Sequence, residues 1–192
     1  PAVTNSVGLL SDALHNLIDE ATLLSTFYAY HLAARPASQT KTFGFHKAEA
    51  LAGWINAAVL ILITLMLMGD MVHRLRQPQA VHGVAMVVVA FAAALGNLAV
   101  AMSLRASAGQ NLNIKSAYLH NLGDAGISLA PGVGGFVIAR TGWTAIDPLI
   151  GLGIGVAVLL GTWRVLKAST AILLDDVPDG IRMGHVVDDV FA

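Results

Sequence analysis

Cysteine is absent from all 192 residues, so neither disulfides nor thiolate metal sites can form. Charge is scarce as well. Only 12% of the chain is Asp, Glu, Lys or Arg, against about 25% in an ordinary soluble domain. Neither sign dominates, with 11 basic and 12 acidic residues, which gives no footing for nucleic acid or for an acidic partner. No H-E-x-x-H sequence occurs, and the start lacks the charged, apolar and small-residue order of a cleavable signal peptide. What fills the chain instead is apolar: 56% hydrophobic residues and a mean hydropathy of +0.69 describe an integral membrane protein.

A bilayer core about 30 Å thick needs roughly 20 mostly apolar residues per helix. Five stretches meet that length, at 9–34, 48–73, 84–104, 114–139 and 146–167. The breaks between them hold Arg35-Pro36, Gln77-Pro78, Gln110-Asn111 and Asp147-Pro148, residue types suited to turns. The expected fold is therefore all-α, a polytopic transmembrane helix bundle, with residues 1–176 forming the membrane domain. Short cytoplasmic loops are enriched in Lys and Arg. One side collects Arg35, Lys41, Lys47, Arg105, Lys115, Arg164, Lys167 and Arg182, and the other only Arg74, Arg76 and Arg140, which puts the C-terminus in the cytoplasm. Pro1 stands where a start methionine would, and 177–192 reads as the opening of a polar domain, so the chain is expected to be a fragment.

Inside two of these apolar stretches the same pattern recurs. Ser11 to Asp19 reads S-D-A-L-H-N-L-I-D and Ser116 to Asp124 reads S-A-Y-L-H-N-L-G-D. A His and an Asp four apart share one helical face. The pairs His15/Asp19 and His120/Asp124 each offer one imidazole nitrogen and one carboxylate oxygen, and two such helices side by side supply a tetrahedral zinc set. The first and fourth spans run in opposite directions, and counting 1.5 Å per residue from their starts puts both pairs near the midplane. An Asp there costs at least about 2.5 kcal/mol to insert, whereas an interhelical hydrogen bond returns on average only about 0.6 kcal/mol, so metal is the better account than glue.

Two nitrogens and two carboxylates suit Zn2+, with Co2+ or Fe2+ as lesser candidates; the lack of sulfur disfavours cadmium. Imidazole must be neutral and carboxylate ionised to bind metal, so loading expels protons and release takes them up. A site opening alternately to each side would then exchange metal for protons. A membrane metalloenzyme and a metal that merely locks helices together are the rival readings. Catalytic zinc usually keeps one open position, which four protein ligands do not leave.

The run from Asn5 to Asp19, the loop from Thr42 to Glu49, the stretch Tyr118 to Asp124 and Asp147-Pro148 together resemble the cation diffusion facilitators. The resemblance implies a six-helix membrane domain of which five spans stand here, a homodimer, a cytoplasmic C-terminal domain, and proton-driven efflux of divalent metal. It places the transported ion on His15, Asp19, His120 and Asp124, in the zinc-preferring His-Asp, His-Asp branch. The chain has no long histidine-rich loop between the third and fourth spans, so a prokaryotic plasma (inner) membrane is expected.

Other polar residues carry open alternatives. Asp12, one turn before His15, either orients His15, attracts cations or caps the helix. His46 is either a solvated loop residue or an additional metal ligand, and Lys47 with Glu49 is expected to form an ion pair that positions the loop. Asp70 and His73 form either a weak port or an interfacial cap beside Arg74 and Arg76. Asn56 and Asn97 are expected to make interhelical hydrogen bonds. His31 and His82 sit near interfaces. Gly123 to Gly135 with Pro131 suggests a bend in the fourth span, or close helix packing.

Overall fold

The computed structural model describes residues 4–36, 44–107 and 112–177. Lys41, Gln110, Asn111, Arg182 and the polar segment from 178 onward lie outside the described residues. Five helices follow one another: α1 (Val7–Ala33), α2 (Ala48–Arg76), α3 (Gly83–Leu104), α4 (Leu112–Thr141) and α5 (Ile146–Leu173). The described residues contain no strand. The five expected spans fall on these five helices, and the architecture is that of an all-helical, polytopic membrane protein.

Helices α2, α3, α5 and the 117–141 part of α4 are long and apolar enough to cross a bilayer. Helix α1 has the length, with 27 residues, but Asp12, His15, Asp19 and Glu20 lower its hydropathy. Many large apolar side chains, such as Leu24, Met66, Val84 and Leu160, are exposed, as lipid-facing positions would be. Helix α5 runs six residues past the expected end at Lys167. At 1.5 Å per residue its 28 residues span about 42 Å, longer than the hydrocarbon core. Nothing in Ala168–Leu173 breaks a helix, so hydropathy ends before the hydrogen-bond ladder does.

The chain divides into two compact units. One comprises Pro1–Glu20 and Leu60–Leu160, the other Ala21–Val59 and Gly161–Ala192.

In the first unit, the start of α1 is held by a carboxylate distant in sequence. Asp147, fully buried at the start of α5, accepts hydrogen bonds from the Ser6 hydroxyl at 2.5 Å, the Val7 amide at 2.9 Å and the Gly8 amide at 3.1 Å. Ser6 is the N-cap: its hydroxyl oxygen accepts from the Leu9 amide at 3.1 Å. The orphan amides of the first turn of α1 are thereby satisfied, and the negative carboxylate sits where the helix dipole favours it. Gly8 makes the approach possible, since a Cβ there would stand 2.8 Å from Asp147 Oδ1. Arg74 of α2 donates to the Asn5 carbonyl at 2.8 Å and pairs with Asp70 at 3.1 Å. Asp70 therefore acts with Arg74 as an interfacial pair, and among the described residues it forms no metal-binding group with His73.

Helices α3 and α4 pack closely through glycine. A Cβ on Gly135 would lie 2.7 Å from the Gly83 carbonyl oxygen and 3.0 Å from the Val87 nitrogen, both rigid backbone atoms. Pro131 is fully buried inside α4, which continues through it as one helix. Of the two readings of this glycine-rich stretch, close packing is the one these contacts support. Gly135→Ala should therefore destabilise the protein by about 1–3 kcal/mol through overpacking. Gly126→Ala, on the same helix with nothing within 4 Å of the added carbon, should be neutral or slightly stabilising. Thermal unfolding of both variants in one detergent checks the contrast.

In the second unit, Asn56 donates to Ser25 at 2.5 Å, the expected interhelical bond between α2 and α1. Lys47 departs from expectation. Its ammonium donates to Asp175 at 2.6 Å and to the Leu173 carbonyl at 2.9 Å, rather than pairing with Glu49. The last carbonyls of α5 lack intrahelical donors and carry the negative end of the dipole, which draws the cation to them.

Candidate metal centre

Each ligand pair arises from local helical geometry. His15 and Asp19 follow the start of α1 by eight and twelve residues; His120 and Asp124 follow the start of α4 by the same eight and twelve. Both pairs thus lie about 12–18 Å along their helices. The contacts between the helices pair Asp12 with Ser128 and Asp19 with His120, so α1 and α4 run antiparallel and the two pairs meet.

Within the pairs, His15 Nε2 lies 3.4 Å from Asp19 Oδ2, and His120 Nε2 lies 3.3 Å from Asp124 Oδ2. Between the helices, His120 Nε2 lies 3.6 Å from the same Asp19 oxygen. Ligand atoms of His15, Asp19 and Asp124 all fall within 4.8 Å of one another. A tetrahedral zinc ion with bonds of 2.0–2.1 Å has donor–donor edges of roughly 3.3–3.4 Å. Three of the six edges of such a polyhedron are therefore close to length. Three of the four predicted residues, His15, Asp19 and Asp124, form one compact group, while His120 reaches Asp19 and Asp124 from its edge and lies outside that group.

Their burial is unequal. The Asp124 side chain is 10% exposed, His15 16%, Asp19 25% and His120 54%, which makes His120 the most accessible member. Asp19 Oδ2 is itself buried and has no hydrogen-bond donor, although two imidazole nitrogens flank it. An oxygen withdrawn from solvent and left unbonded between two rings is what a cation would satisfy. His15 Nδ1 is also buried without a partner.

Asp12 neither caps α1 nor hydrogen-bonds His15. It is 3% exposed and lies five residues inside α1, too deep to cap it. Both carboxylate oxygens lie 3.0 Å from the hydroxyl of Ser128, itself fully buried, so Asp12 joins α1 to α4 one turn beyond the ligands and makes no hydrogen bond to His15. Spacing gave no sign of Ser128, because its partner is 116 residues away. The signal that existed was a serine one turn past Asp124 on the same face. His46 is exposed in the turn before α2 and joins no metal-binding group among the described residues. His31 Nδ1–H donates to the Phe27 carbonyl oxygen at 2.9 Å, and the His82 backbone precedes α3.

Residues 2–174 match the family model of the cation efflux transmembrane domain. The chain is 34% identical over 189 residues to the zinc transporter ZitB of Yersinia pestis, covering 98% of this chain and 61% of that protein. Over 190 residues it is 34% identical to the metal cation efflux system protein CzcD of Cupriavidus metallidurans, covering 99% and 60%. Over 187 residues it is 34% identical to a cadmium, cobalt and zinc/H(+)-K(+) antiporter of Bacillus subtilis, covering 96% and 60%. The chain thus spans about three-fifths of the length of the curated relatives it matches. A helical membrane protein that carries this match over nine-tenths of its length belongs to the cation efflux, or cation diffusion facilitator, family.

Proposed function

We propose that this chain is the membrane-embedded part of a Zn2+ exporter that moves metal out of the cytoplasm in exchange for protons, with His15, Asp19, His120 and Asp124 as the transport ligands. The observation that carries the reading is the set of donor separations of 3.3, 3.4 and 3.6 Å, which suit a tetrahedral ion shared by α1 and α4. The names of the relatives, zinc transporter and zinc/H(+)-K(+) antiporter, support transport over catalysis.

Proton coupling follows from the donor set. Zn2+ needs both imidazoles neutral and both carboxylates ionised, so a protonated site and a loaded site exclude one another. Zn2+ arriving from the cytoplasm displaces protons, and protons entering from outside displace Zn2+ once the site faces outward. In this reading the protein sits in a bacterial inner membrane as a homodimer with its C-terminus in the cytoplasm, and Co2+ or Fe2+ are secondary substrates. One relative's name includes cadmium, whereas the sulfur-free ligand set here favours zinc over cadmium.

The test is flux in proteoliposomes containing the full-length protein. Zn2+ movement should rise with an imposed pH gradient, and the heat of Zn2+ binding should change with the ionisation heat of the buffer as protons are released. Flux that ignores the gradient together with buffer-independent heat would overturn proton antiport.

A further inference from the structure

The face of α3 that packs against α4 is built from small or flexible apolar residues at intervals of three and four: Gly83, Met86, Ala90, Ala94 and Ala101 are all buried. The same spacing admits one more position, 97, and there the residue is asparagine. Asn97 is the polar member of an otherwise apolar seam. Its side-chain nitrogen is buried and has no hydrogen-bond partner, so the expected interhelical bond is missing. An amide N–H withdrawn from solvent without an acceptor is uncommon, and each such group asks for an explanation.

The register supplies one. Gly132 of α4 faces Ala90, and Gly134 and Gly135 face Met86. The helices run in opposite directions, and seven residues return to nearly the same face after about 10.5 Å. Seven residues on from Ala90 is Asn97, and seven back from Gly132 is Ala125, the neighbour of Asp124. Asn97 therefore stands on the α4-facing side of α3 at the depth of the candidate metal centre. Asp124, for its part, has the His120 imidazole at 3.3 Å and a His15 nitrogen within 4.8 Å, and accepts from no amide or hydroxyl among the described residues. Asn121, the other amide at this level, already donates to the Ala117 carbonyl of its own helix at 2.9 Å.

We propose that Asn97 is a positioning residue of the metal centre: its amide N–H, unpartnered in this structure, donates in the metal-loaded protein to the Asp124 carboxylate oxygen that does not bind the ion, and so fixes the oxygen that does. This rests on the reading of His15, Asp19, His120 and Asp124 as Zn2+ ligands. Carboxylates that ligate metals are themselves held by hydrogen bonds, and removing such a partner typically costs about 10–100-fold in affinity.

The test uses the full-length protein in nanodiscs, with Zn2+ affinity from chelator competition and the visible spectrum of bound Co2+ as a report of ligand geometry. Asn97→Leu, alike in branching but without a donor, should weaken Zn2+ binding by about 10–100-fold and change the Co2+ band. Asn97→Gln, which restores the amide, should recover most of the loss. Combined with Asp124→Asn, Asn97→Leu should add little further loss, because the pair acts as one unit. Unchanged affinity and an unchanged Co2+ band in Asn97→Leu, with only thermal stability altered, would overturn the proposal and leave Asn97 as packing. Should Asn97→Leu not fold, Asn97→Ala carries the same measurements with no added bulk. Failure of the wild-type protein to bind Zn2+ would instead sink the ligand assignment itself, which separates the two ideas.

Discussion

Asp19→Ala should weaken Zn2+ binding by roughly 10²–10³-fold, the largest loss expected from any single substitution in the site, because zinc sites of four ligands are worth about 10–16 kcal/mol, or some 2.5–4 kcal/mol each. Asp19 is singled out by geometry. Its Oδ2 atom lies 3.4 Å from His15 Nε2 and 3.6 Å from His120 Nε2, so it is the donor that touches imidazoles of both helices. Removing it opens the contact through which α1 and α4 share the ion. His120→Ala should cost less, since His120 is 54% exposed and water can occupy the vacated fourth position, as it does in open zinc sites. Asp19→Asn keeps the shape and removes the charge, and should fall near the alanine variant if charge neutralisation dominates. Chelator competition on the full-length protein measures all three. A loss under tenfold for Asp19→Ala, or a larger one for His120→Ala, would contradict the bridging role.

The unequal legibility of these features in the sequence has a physical cause. His15 with Asp19 and His120 with Asp124 are four residues apart, and one helical turn decides that each pair shares a face. That the pairs meet follows from counting residues from the two helix starts, which needs only the rise per residue and opposite directions. Lys47 shows where local reasoning fails. Glu49 is two residues away, and residues two apart do not face one another on a helix, whereas Asp175 is 128 residues away and within 2.6 Å. Asp147 and Ser128 likewise act through partners 139–141 and 116 positions distant, which no periodicity reports. Asn97 was legible as polar and intramembrane, but its lack of a partner is a property of the packed seam.

Asp147→Ala should be the most destabilising substitution outside the metal centre, at roughly 3–9 kcal/mol, since each buried donor left without an acceptor costs about 1–3 kcal/mol and three lose theirs. Those donors are the Ser6 hydroxyl and the Val7 and Gly8 amides, all buried, so water cannot replace the carboxylate without opening the junction of α1 with α5. The carboxylate also faces the positive end of the α1 dipole while standing in the first turn of α5, so its charge serves two helix termini at once. Asp147→Asn should recover only part of the loss, because its amide keeps one acceptor oxygen and aims an NH2 group at backbone donors. Asp70→Ala is the control: it removes a partly exposed pair with Arg74, worth about 0–1 kcal/mol. Unfolding in detergent should rank the three variants in that order, and hydrogen exchange at Val7 and Gly8 should quicken in Asp147→Ala before it does elsewhere in α1. The effect reaches the site, for His15 lies only nine residues beyond Ser6 on the helix that this cap anchors. If Asp147→Ala melts with the wild type and exchange at Val7 is unchanged, the start of α1 is held by something other than this carboxylate.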